Sequence, residues 1–403
     1  MSSIAVVAVG YNRDKSLLRL LKSLSTADYD NEKVPLIISL DKSDNQRVVD
    51  IANDYHWPFG EKIIKIQAER IGLRNHIIAC GNLSFEYGSV AVLEDDLIVS
   101  PSFYLYAKNA ICKYATVDQI AGISLYSHLW NVNCSRPFIP ADDGTDAYFL
   151  QFAQSWGQVW SETMWQGFVE WYKTNSGKIY PEPDLPERVT SWPDTSWLKY
   201  FNRYIVKTNR YFVYPKISLT TNFGDRGEHV SEYSSSFQVP LLIGVKKKYT
   251  FPDCNSDSIC YDVFFERVGV GKEVGLPEKD ICMDLYATKG NRQGATFWIT
   301  MEKMNYKIHS SFGLRMRPHE ENIFFQIEGN DIFCYDTGRR CVNHFRGQVE
   351  SNAINIIKYD IRDIKRKFIW VYSVYLFKMA AVRFLKRFRK KLMKLNRSEN
   401  QRT

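Results

Sequence analysis

The sequence lacks the motifs of several common functional classes. It has neither a GxGxxG fingerprint nor a GxxxxGK[ST] loop, which excludes the usual glycine-rich cradles for dinucleotides and triphosphates. Its eight cysteines include no CxxC pair, so neither a zinc cluster nor a secreted disulfide framework is indicated. The N-terminus enters a predicted strand directly, without a basic region and a long apolar run, so we expect no export signal. Reduced thiols and a cytoplasmic location fit these absences best.

Acidic residues are absent from the C-terminal segment. Twelve Lys/Arg and no Asp/Glu lie between Ile364 and Ser398, so with a net charge of +8 the rest of the chain carries 8 − 12 = −4. Apolar and basic residues recur there with helical spacing, which predicts an amphipathic basic helix from about Asp363 to Asn396. The apolar run from Phe368 to Phe377 is shorter than the roughly 20 residues that span a bilayer.

Three roles are open for this basic helix. A cationic helix with Trp370 and several phenylalanines can lie in the interface of an anionic membrane leaflet. It can also dock on the rest of its own chain, or bind nucleic acid. Because large aromatics flanked by lysines suit an interface better than a phosphate track, we expect a peripheral contact with the inner face of a membrane and no nucleic-acid partner.

The rest of the chain has the composition of a globular protein. Its 403 residues are 45% hydrophobic and 24% charged, which favours two to three domains. The first part alternates strand-like and helix-like segments, and this order predicts an α/β fold with a parallel sheet built from βαβ units. We expect strands at Ile4–Val9, Val34–Leu40, Lys62–Gln67 and Ser89–Leu93, and helices at Lys15–Leu24, Arg47–His56 and Arg70–Cys80.

The most informative stretch runs from Val90 to Leu97. An apolar segment, typical of a buried parallel strand, ends there at three consecutive carboxylates, Glu94, Asp95 and Asp96. Ligands of open α/β sheets bind beyond the carboxyl ends of the strands. Adjacent carboxylates repel one another unless a cation neutralises them, and Mg²⁺ or Mn²⁺ prefers such oxygen ligands. The stretch therefore indicates a metal that holds a diphosphate; a solvated acidic turn is the alternative.

Six motifs follow the predicted elements in order along the chain. They are Val9-Gly10-Tyr11-Asn12-Arg13, Ser39-Leu40-Asp41, Gly72-Leu73-Arg74-Asn75-His76, the segment Leu93–Phe103 around the acids, Trp192-Pro193-Asp194-Thr195-Ser196-Trp197, and the segment Tyr214–Gly224. Together, over about residues 4–229, they resemble the GT-A catalytic domain of N-acetylglucosaminyltransferase I and its relatives. The resemblance implies a Rossmann-like sheet and a metal-dependent, inverting transfer of a sugar, GlcNAc among the candidates, from a UDP-sugar.

The resemblance also assigns residues to the donor. Arg13 and Asp41 would hold the nucleotide, and His76 would lie near the diphosphate. These roles suit the chemistry, since Arg offers bidentate donors to phosphate and a carboxylate accepts from uracil or ribose. A surface charge at Arg13, an N-cap or Asx turn at Asp41, and a merely packed His76 are the alternatives.

The acid cluster carries unequal roles in the resembled family. Its last aspartate is the metal ligand, which assigns Asp96 to Mn²⁺ or Mg²⁺ and leaves Glu94 and Asp95 for the donor. One carboxylate, two phosphate oxygens and waters suffice for an octahedral ion. The ion would neutralise charge on the departing nucleoside diphosphate.

A further acid is needed to take the proton of the acceptor hydroxyl, and Asp194 is the candidate. The resemblance points to it, although the family's Trp-Asp-Asp-Trp run is altered here by Pro193, Thr195 and Ser196. Its aromatic neighbours would desolvate the carboxylate and raise its pKa, and the tryptophans could stack on a sugar. A helix N-cap at Asp194 is the alternative. A competing acid cluster, 142–146, is interpreted mainly as a turn.

The later part of the sequence predicts two more features. Lys216 to Gly224 resembles the family's loop over the donor, where Ser218 and Thr220 or Thr221 could bond phosphate oxygens, and its small polar residues suit a mobile lid. Alternating segments at 322–327 and 331–335 predict a β-hairpin around Gly329-Asn330. We therefore divide the chain into a GT-A catalytic domain (1–245), an accessory β-rich region (246–350) and a basic amphipathic tail (351–403).

Three function classes follow from these features. The first is a glycosyltransferase that uses a UDP-sugar and a hydroxyl of a glycan or lipid-linked polysaccharide at the inner face of a membrane. The second is a sugar nucleotidyltransferase, which would need a glycine-rich loop after the first strand, where Val9–Asp14 is not one. The third is a non-catalytic, membrane-associated binder of nucleotide-sugars or nucleic acid.

Overall fold

Strands and helices alternate through the first part of the protein. The computed structural model describes residues 4–225, 236–255, 258–292, 294–345, 360, 369–381 and 384. The first elements are β1 (Ala5–Gly10), α1 (Asp14–Leu24), β2 (Leu36–Leu40), α2 (Gln46–Asp54), β3 (Lys62–Ile66), α3 (Gly72–Asn82), α4 (Ser84–Tyr87), β4 (Ser89–Glu94), β5 (Leu97–Val99) and α5 (Phe103–Tyr114).

The remaining elements are shorter on average. The chain continues with β6 (Ile120–Ser124), β7 (Trp130–Asn131), β8 (Arg136–Pro137), β9 (Ala147–Leu150), β10 (Gln158–Ser161), α6 (Glu162–Asn175), α7 (Glu187–Thr190), α8 (Trp197–Lys207), β11 (Tyr211–Pro215) and β12 (Thr220–Asn222). It then forms β13 (Cys260–Tyr261), α9 (Gly271–Val274), a 3₁₀ turn (Glu278–Asp280), β14 (Ile281–Met283), β15 (Phe297–Thr300), β16 (Tyr306–Phe312), α10 (Glu321–Phe324) and β17 (Ile332–Arg340).

A nine-stranded sheet has the order β13-β9-β11-β6-β10-β4-β1-β2-β3. β1 pairs in parallel with both β2 and β4, and β2 pairs in parallel with β3. Strand β10 runs antiparallel between β4 and β6. The leucine stripe of α1 is buried, so the helix packs its apolar face on the core as its spacing predicts. The expected α/β class with a parallel-rich sheet is confirmed.

The parallel strands bring three loops to one edge of the sheet. β1, β2 and β4 are neighbours in register, so their carboxyl ends lie side by side. Arg13 follows the first of these strands and Asp41 the second, while Glu94 is the last residue of β4. The fold therefore gathers these charged residues although they lie far apart in the sequence.

A four-stranded sheet of order β14-β15-β17-β16 occupies part of the region expected to be β-rich. The hairpin predicted around Gly329-Asn330 is wrong, because residues 321–324 form α10 and β17 pairs with β15 and β16. The physical reason is the buried Asn322. Its amide accepts from the backbone N–H groups of Arg315 and Met316 and donates to the carbonyls of Met316 and His319, which a strand would not permit.

Met1–Asn343 form one compact unit and His344–Thr403 a second. The boundary near residue 245 falls inside the first unit, where β13 joins the nine-stranded sheet, and the function of the region beyond it stays a prediction. In the second unit residues 369–381 and 384 are helical, and the remainder of the predicted helix lies outside the described residues. Within the part of the chain that the structure describes, no helix has the length and hydropathy needed to cross a membrane.

Candidate active site

A cavity of about 170 Å³ lies at the carboxyl edge of the parallel strands. Six of the eight residues singled out from the sequence line it together: Arg13, Asp41, His76, Glu94, Asp95 and Asp96. Tyr11, Arg70, Leu73 and Asp225 complete the wall among others. We refer to this cavity as the acid pocket. Ser218 and Asp194 do not line it.

Arg13 links two of the acids. Its guanidinium is paired with Asp95, and its Nη1 lies 3.4 Å from Oδ2 of Asp96. The side chains of Arg13 and Asp95 are only 23% and 5% exposed, so this contact is shielded from water. Burial disfavours the charged guanidinium, but Asp95 and Asp96 outweigh it and raise the pKa of Arg13. The arginine is thus held in its charged form by the acids.

Burial disfavours the charged forms of two of these acids, Glu94 and Asp95. Burial, with the neighbouring Asp96, raises the pKa of Glu94 well above its usual range, and Glu94 Oε1 is buried without a hydrogen-bond partner. Burial also raises the pKa of Asp95 to about 6, against the opposing effect of Arg13. Besides Arg13, Arg70 also lines the pocket. A cation placed beside these acids would favour their ionised forms.

Asp41 fixes the start of α3. Its carboxylate accepts from the backbone N–H groups of Lys42 at 2.9 Å, Ile71 at 3.0 Å and Gly72 at 2.9 Å. Gly72 has a φ of +77°, a left-handed conformation that a side chain would strain. Asp41 is 5% exposed and lines the acid pocket, so it both shapes the wall and faces the cavity.

His76 is a buried, hydrogen-bonded residue of the wall. Its Nε2 lies 2.8 Å from Oγ of Ser39, and the residue is 2% exposed. Burial lowers the pKa of His76, against the opposing effect of Asp41. The imidazole is therefore neutral at pH 7, and it can exchange a hydrogen bond with a ligand but supplies no charge.

Sequence reasoning missed Asp225. It lines the acid pocket and is paired with Arg19, while Ser16 donates to its Oδ2 at 2.7 Å. Burial would raise the pKa of Asp225, but the bonds from Arg19 and Ser16 lower it overall. The guanidinium of Arg19 lies 3.7 Å above the ring of Phe223. Its position in the sequence could have indicated it, because Asp225 directly follows Phe223-Gly224, the end of the motif at Tyr214–Gly224.

Ser218 lies in a strand-like segment away from the acid pocket. Its hydroxyl accepts from Ser127 N–H at 2.9 Å and donates to Thr220 C=O at 2.6 Å, and the residue is 2% exposed. Residues Thr220–Asn222 pair with β5 as an antiparallel strand. The prediction of a mobile lid over 216–224 is therefore wrong for residues 220–222. Their backbone is hydrogen-bonded to β5, the strand that directly follows the acids.

Asp194 has a different environment from the one its neighbours suggested. Lys199 donates to its carboxylate at 2.8 Å, and the side chain is 46% exposed. This bond lowers the pKa of Asp194, so the expected increase through desolvation is wrong. The reason is that Trp197 is buried in the core, 2% exposed, instead of covering the carboxylate.

The segment that carries Asp194 is tied to the wall of the acid pocket. Arg74 of α3 donates to the Asp194 carbonyl at 2.6 Å. Pro193 and Thr195, on either side of Asp194, line a second cavity that shares Leu73 with the acid pocket. Asp194 itself lines neither cavity, although both of its chain neighbours line the second one.

The competing acid cluster, 142–146, is a turn as interpreted. Asp142 accepts from Gly144 N–H at 3.0 Å and Asp143 from Thr145 N–H at 3.0 Å. Lys216 pairs with both carboxylates, at 2.8 Å and 2.6 Å. These acids are satisfied by local backbone and one lysine.

Comparisons with known proteins give one sequence match and several partial structural likenesses. No family model matches the chain. It is 24% identical over 256 residues to the alpha-1,3-mannosyl-glycoprotein 2-beta-N-acetylglucosaminyltransferase of Arabidopsis thaliana. The match covers 60% of this chain and 52% of that protein, so the chain spans about half the length of the curated relative it matches. The resemblance to the N-acetylglucosaminyltransferase I family is thereby confirmed.

The structural likenesses are weaker. TarS 1–349 of S. aureus in complex with UDP is 14% identical with a TM-score of 0.37, covering 54% of this chain and 59% of that one. The mannosyltransferase PcManGT of Pyrobaculum calidifontis, in complex with GDP-Man and Mn²⁺, is 11% identical with a TM-score of 0.32, covering 54% and 58%. Each likeness covers only part of the fold.

Proposed function

We propose that this protein is a metal-dependent, inverting glycosyltransferase that moves a sugar from a UDP-sugar to an acceptor hydroxyl. The observation that carries the proposal is the convergence of Arg13, Asp41, His76 and the three acids in one pocket at the carboxyl edge of a parallel sheet. This is where open α/β sheets bind nucleotides. The match to an N-acetylglucosaminyltransferase supports the same reading, with GlcNAc as one candidate sugar.

The donor set of the acid pocket fits a divalent cation. Arg13 is already paired with Asp95, and burial raises the pKa of Glu94, whose Oε1 has no hydrogen-bond partner, so a bound cation would stabilise the ionised form of this acid. A diphosphate adds further negative charge, which a cation must offset. Asp96 makes only a long contact with Arg13, 3.4 Å, which leaves its carboxylate available. Among the described residues no three potential ligands form a closed metal site, and a donor diphosphate would supply the other ligands.

We assign Mn²⁺ or Mg²⁺ to Asp96, where it would neutralise the leaving diphosphate. Arg13 would bind phosphate oxygens through its planar donors. Glu94 and Asp95 would contact the sugar or ribose, Asp41 would hold the shape of the nucleotide wall, and His76 would face the diphosphate as a neutral group. These roles follow from the resemblance and from the position of each side chain around one cavity.

We assign the base to Asp194. It lies between Pro193 and Thr195, which line the cavity beside the acid pocket. In a single displacement the acceptor oxygen forms its bond to the sugar carbon as the bond to the diphosphate breaks, and the carboxylate takes the hydroxyl proton. The configuration at that carbon then inverts. The hydrogen bond from Lys199 lowers the pKa of Asp194, which keeps the carboxylate ionised and also makes it a weaker base.

The tail supports a membrane-associated acceptor. In the helix at 369–381 the side chains of Trp370, Tyr372 and Phe377 are 70%, 60% and 80% exposed. Twelve basic residues and no acid lie between Ile364 and Ser398 in the sequence. Such a segment favours contact with an anionic leaflet. We therefore propose a cytoplasmic protein, peripheral on the inner face of the membrane, that acts on a glycan or a lipid-linked polysaccharide.

The substitution Asp96→Asn tests the proposal. UDP affinity, measured by calorimetry with and without Mn²⁺, should show a metal-stimulated increase in the unaltered protein and none in the variant. Metal-dependent release of UDP from a panel of nucleotide-sugars should also fall in Asp96→Asn. Asp143→Asn, which alters a turn acid outside the pocket, is the matched control and should change neither. Equal metal stimulation in Asp96→Asn and the unaltered protein would contradict the metal assignment.

The same assays separate the alternatives. A sugar nucleotidyltransferase would form pyrophosphate from a nucleoside triphosphate and a sugar phosphate. A non-catalytic binder would bind UDP yet release none from any nucleotide-sugar. Release of UDP without pyrophosphate formation is the outcome that we expect.

A further inference from the structure

A second cavity, about 450 Å³, opens beside the acid pocket, and Leu73 lines both. Its volume lies within the about 300–1,000 Å³ of small-molecule sites. Four aromatic side chains form much of its wall: Phe152, Trp156, Trp192 and Phe237. We refer to it as the aromatic cleft.

The aromatic wall is held in place by buried groups. Trp156 and Trp192 are partly buried and pack against the hydrophobic core, which leaves part of each ring at the cleft. The backbone N–H of Trp156 donates to the amide of Gln154, and Thr220 donates to the Trp156 carbonyl. Gln154 is 2% exposed and Thr220 fully buried. The wall is therefore preorganised, which lowers the entropic cost of binding.

The remaining lining groups are uncharged or basic. Hydroxyl side chains of Ser155, Thr195 and Ser196 line the cleft together with Arg188. No acid is found among the described residues that line it, whereas the neighbouring acid pocket contains several. Arg188 is exposed, and its Nη1 contacts the Val132 carbonyl at 3.3 Å. The cleft thus offers aromatic faces and hydrogen-bonding groups, and its lining has no carboxylate that would bind a metal ion or a cationic group.

We propose that the aromatic cleft is the acceptor site and binds a neutral or anionic saccharide. A pyranose ring has a face of C–H groups and an edge of hydroxyls, which match an aromatic wall with hydroxyl groups around it. The ring stacks on Trp192, next to Asp194 in the sequence, and the hydroxyl to be glycosylated faces the side that shares Leu73 with the donor. This assignment rests on the proposed glycosyltransferase function.

Arg188 bears on the charge of the acceptor. A phosphate or carboxylate on the saccharide would gain a charge-assisted hydrogen bond from its guanidinium. The cleft therefore favours a saccharide with an anionic substituent over its neutral counterpart, and Arg188→Gln should remove this preference while sparing the neutral sugar.

The test measures saccharide and UDP binding separately in the full chain. The saccharide probes are chitotriose, maltotriose and glucose 1-phosphate, and binding is followed by saturation-transfer NMR and calorimetry. Trp192→Ala should weaken saccharide binding about 2- to 12-fold, the range for loss of one aromatic contact of about 0.5–1.5 kcal/mol, and leave UDP affinity unchanged. Trp171→Ala is the matched control, because Trp171 is also partly buried against the core but does not line the cleft.

A second variant guards against misfolding. Thr195→Phe places a ring in the cleft without removing a core contact and should also weaken saccharide binding while UDP still binds. Saccharide binding that is absent from the unaltered protein, unchanged in Trp192→Ala, or equally weakened in Trp171→Ala would overturn the proposal. Saccharide binding that depends on Trp192 in a protein that binds no UDP would support the cleft and refute the glycosyltransferase function.

Discussion

The contact between Arg13 and the acids gives the sharpest quantitative prediction. Arg13→Met keeps much of the side-chain volume but removes the guanidinium beside Asp95 and Asp96. Removing one partner of a buried ion pair typically costs about 3–5 kcal/mol because the other charge stays buried. Arg13 is 23% exposed and Asp95 5%, so we expect the lower end of that range, about 3 kcal/mol in the free energy of unfolding at pH 7.5.

The loss should depend on pH in a defined direction. Burial raises the pKa of Asp95 from 3.8 to about 6. The folded protein therefore loses stability as the pH rises through about 6 and Asp95 ionises. Arg13 reduces this loss by pairing with the ionised carboxylate, and Arg13→Met removes that pairing. At pH 5 the folded protein holds Asp95 mostly protonated, and little charge is left unpaired. Arg13→Met should therefore be far less destabilising at pH 5 than at pH 7.5.

Arg19→Met is the matched control. Arg19 has the same 23% exposure and pairs with Asp225, whose pKa is lowered overall despite partial burial. A lowered pKa gives stability that is present above the ordinary carboxyl range and lost only in stronger acid. Arg19→Met should cost a similar amount at pH 5 and pH 7.5. Urea unfolding of both variants without added metal measures these differences; a loss in Arg13→Met that is equal at the two pH values would refute the reasoning.

Two further predictions concern the base and the tail. Asp194→Asn should lower kcat by about 10²-fold or more with UDP affinity unchanged. In Lys199→Met the acidic limb of the pH–rate profile should move to higher pH, because loss of the lysine raises the pKa of Asp194. Equal loss of rate and donor affinity in Asp194→Asn would mark a structural role. Truncation after Tyr359 should abolish salt-sensitive binding to anionic vesicles and spare hydrolysis of the soluble donor; an insoluble, unfolded product would instead show that the tail is part of the core.

The parallel sheet and its acid pocket could be predicted because local pattern and chain order determine them. The apolar run before Glu94 identifies a buried strand, and parallel pairing places Arg13, Asp41 and Glu94 at one edge whatever the loops do. The pairing of Arg13 with Asp95 could not be predicted, because strand order brings the two loops together but does not determine which of their side chains make contact. Asp225 reaches the pocket only because the preceding strand pairs with β5.

The residues adjacent to Asp194 in the sequence do not predict the environment of its carboxylate. Trp192 and Trp197 flank it, yet α8 begins at Trp197 and turns that ring into the core, while Lys199 in the first turns of the helix reaches back to the carboxylate. Sequence spacing gives the residues near a side chain, whereas exposure depends on which face of the following helix is buried. The same limit explains the hairpin prediction, where the side-chain bonds of Asn322 decide between strand and helix.

The two cavities differ in chemistry because different parts of the fold build them. Most of the charged wall of the acid pocket follows the ends of β1, β2 and β4, where strand pairing makes the positions predictable from motifs. The aromatic cleft draws on the loop after β9 and the segment before α8, which carry Trp156 and Trp192. A cation and a diphosphate suit the first cavity and a sugar face the second. Since Leu73 borders both, the proposed donor and acceptor sites adjoin, and we expect changes in the loops of the cleft to alter the acceptor without disturbing the acid pocket.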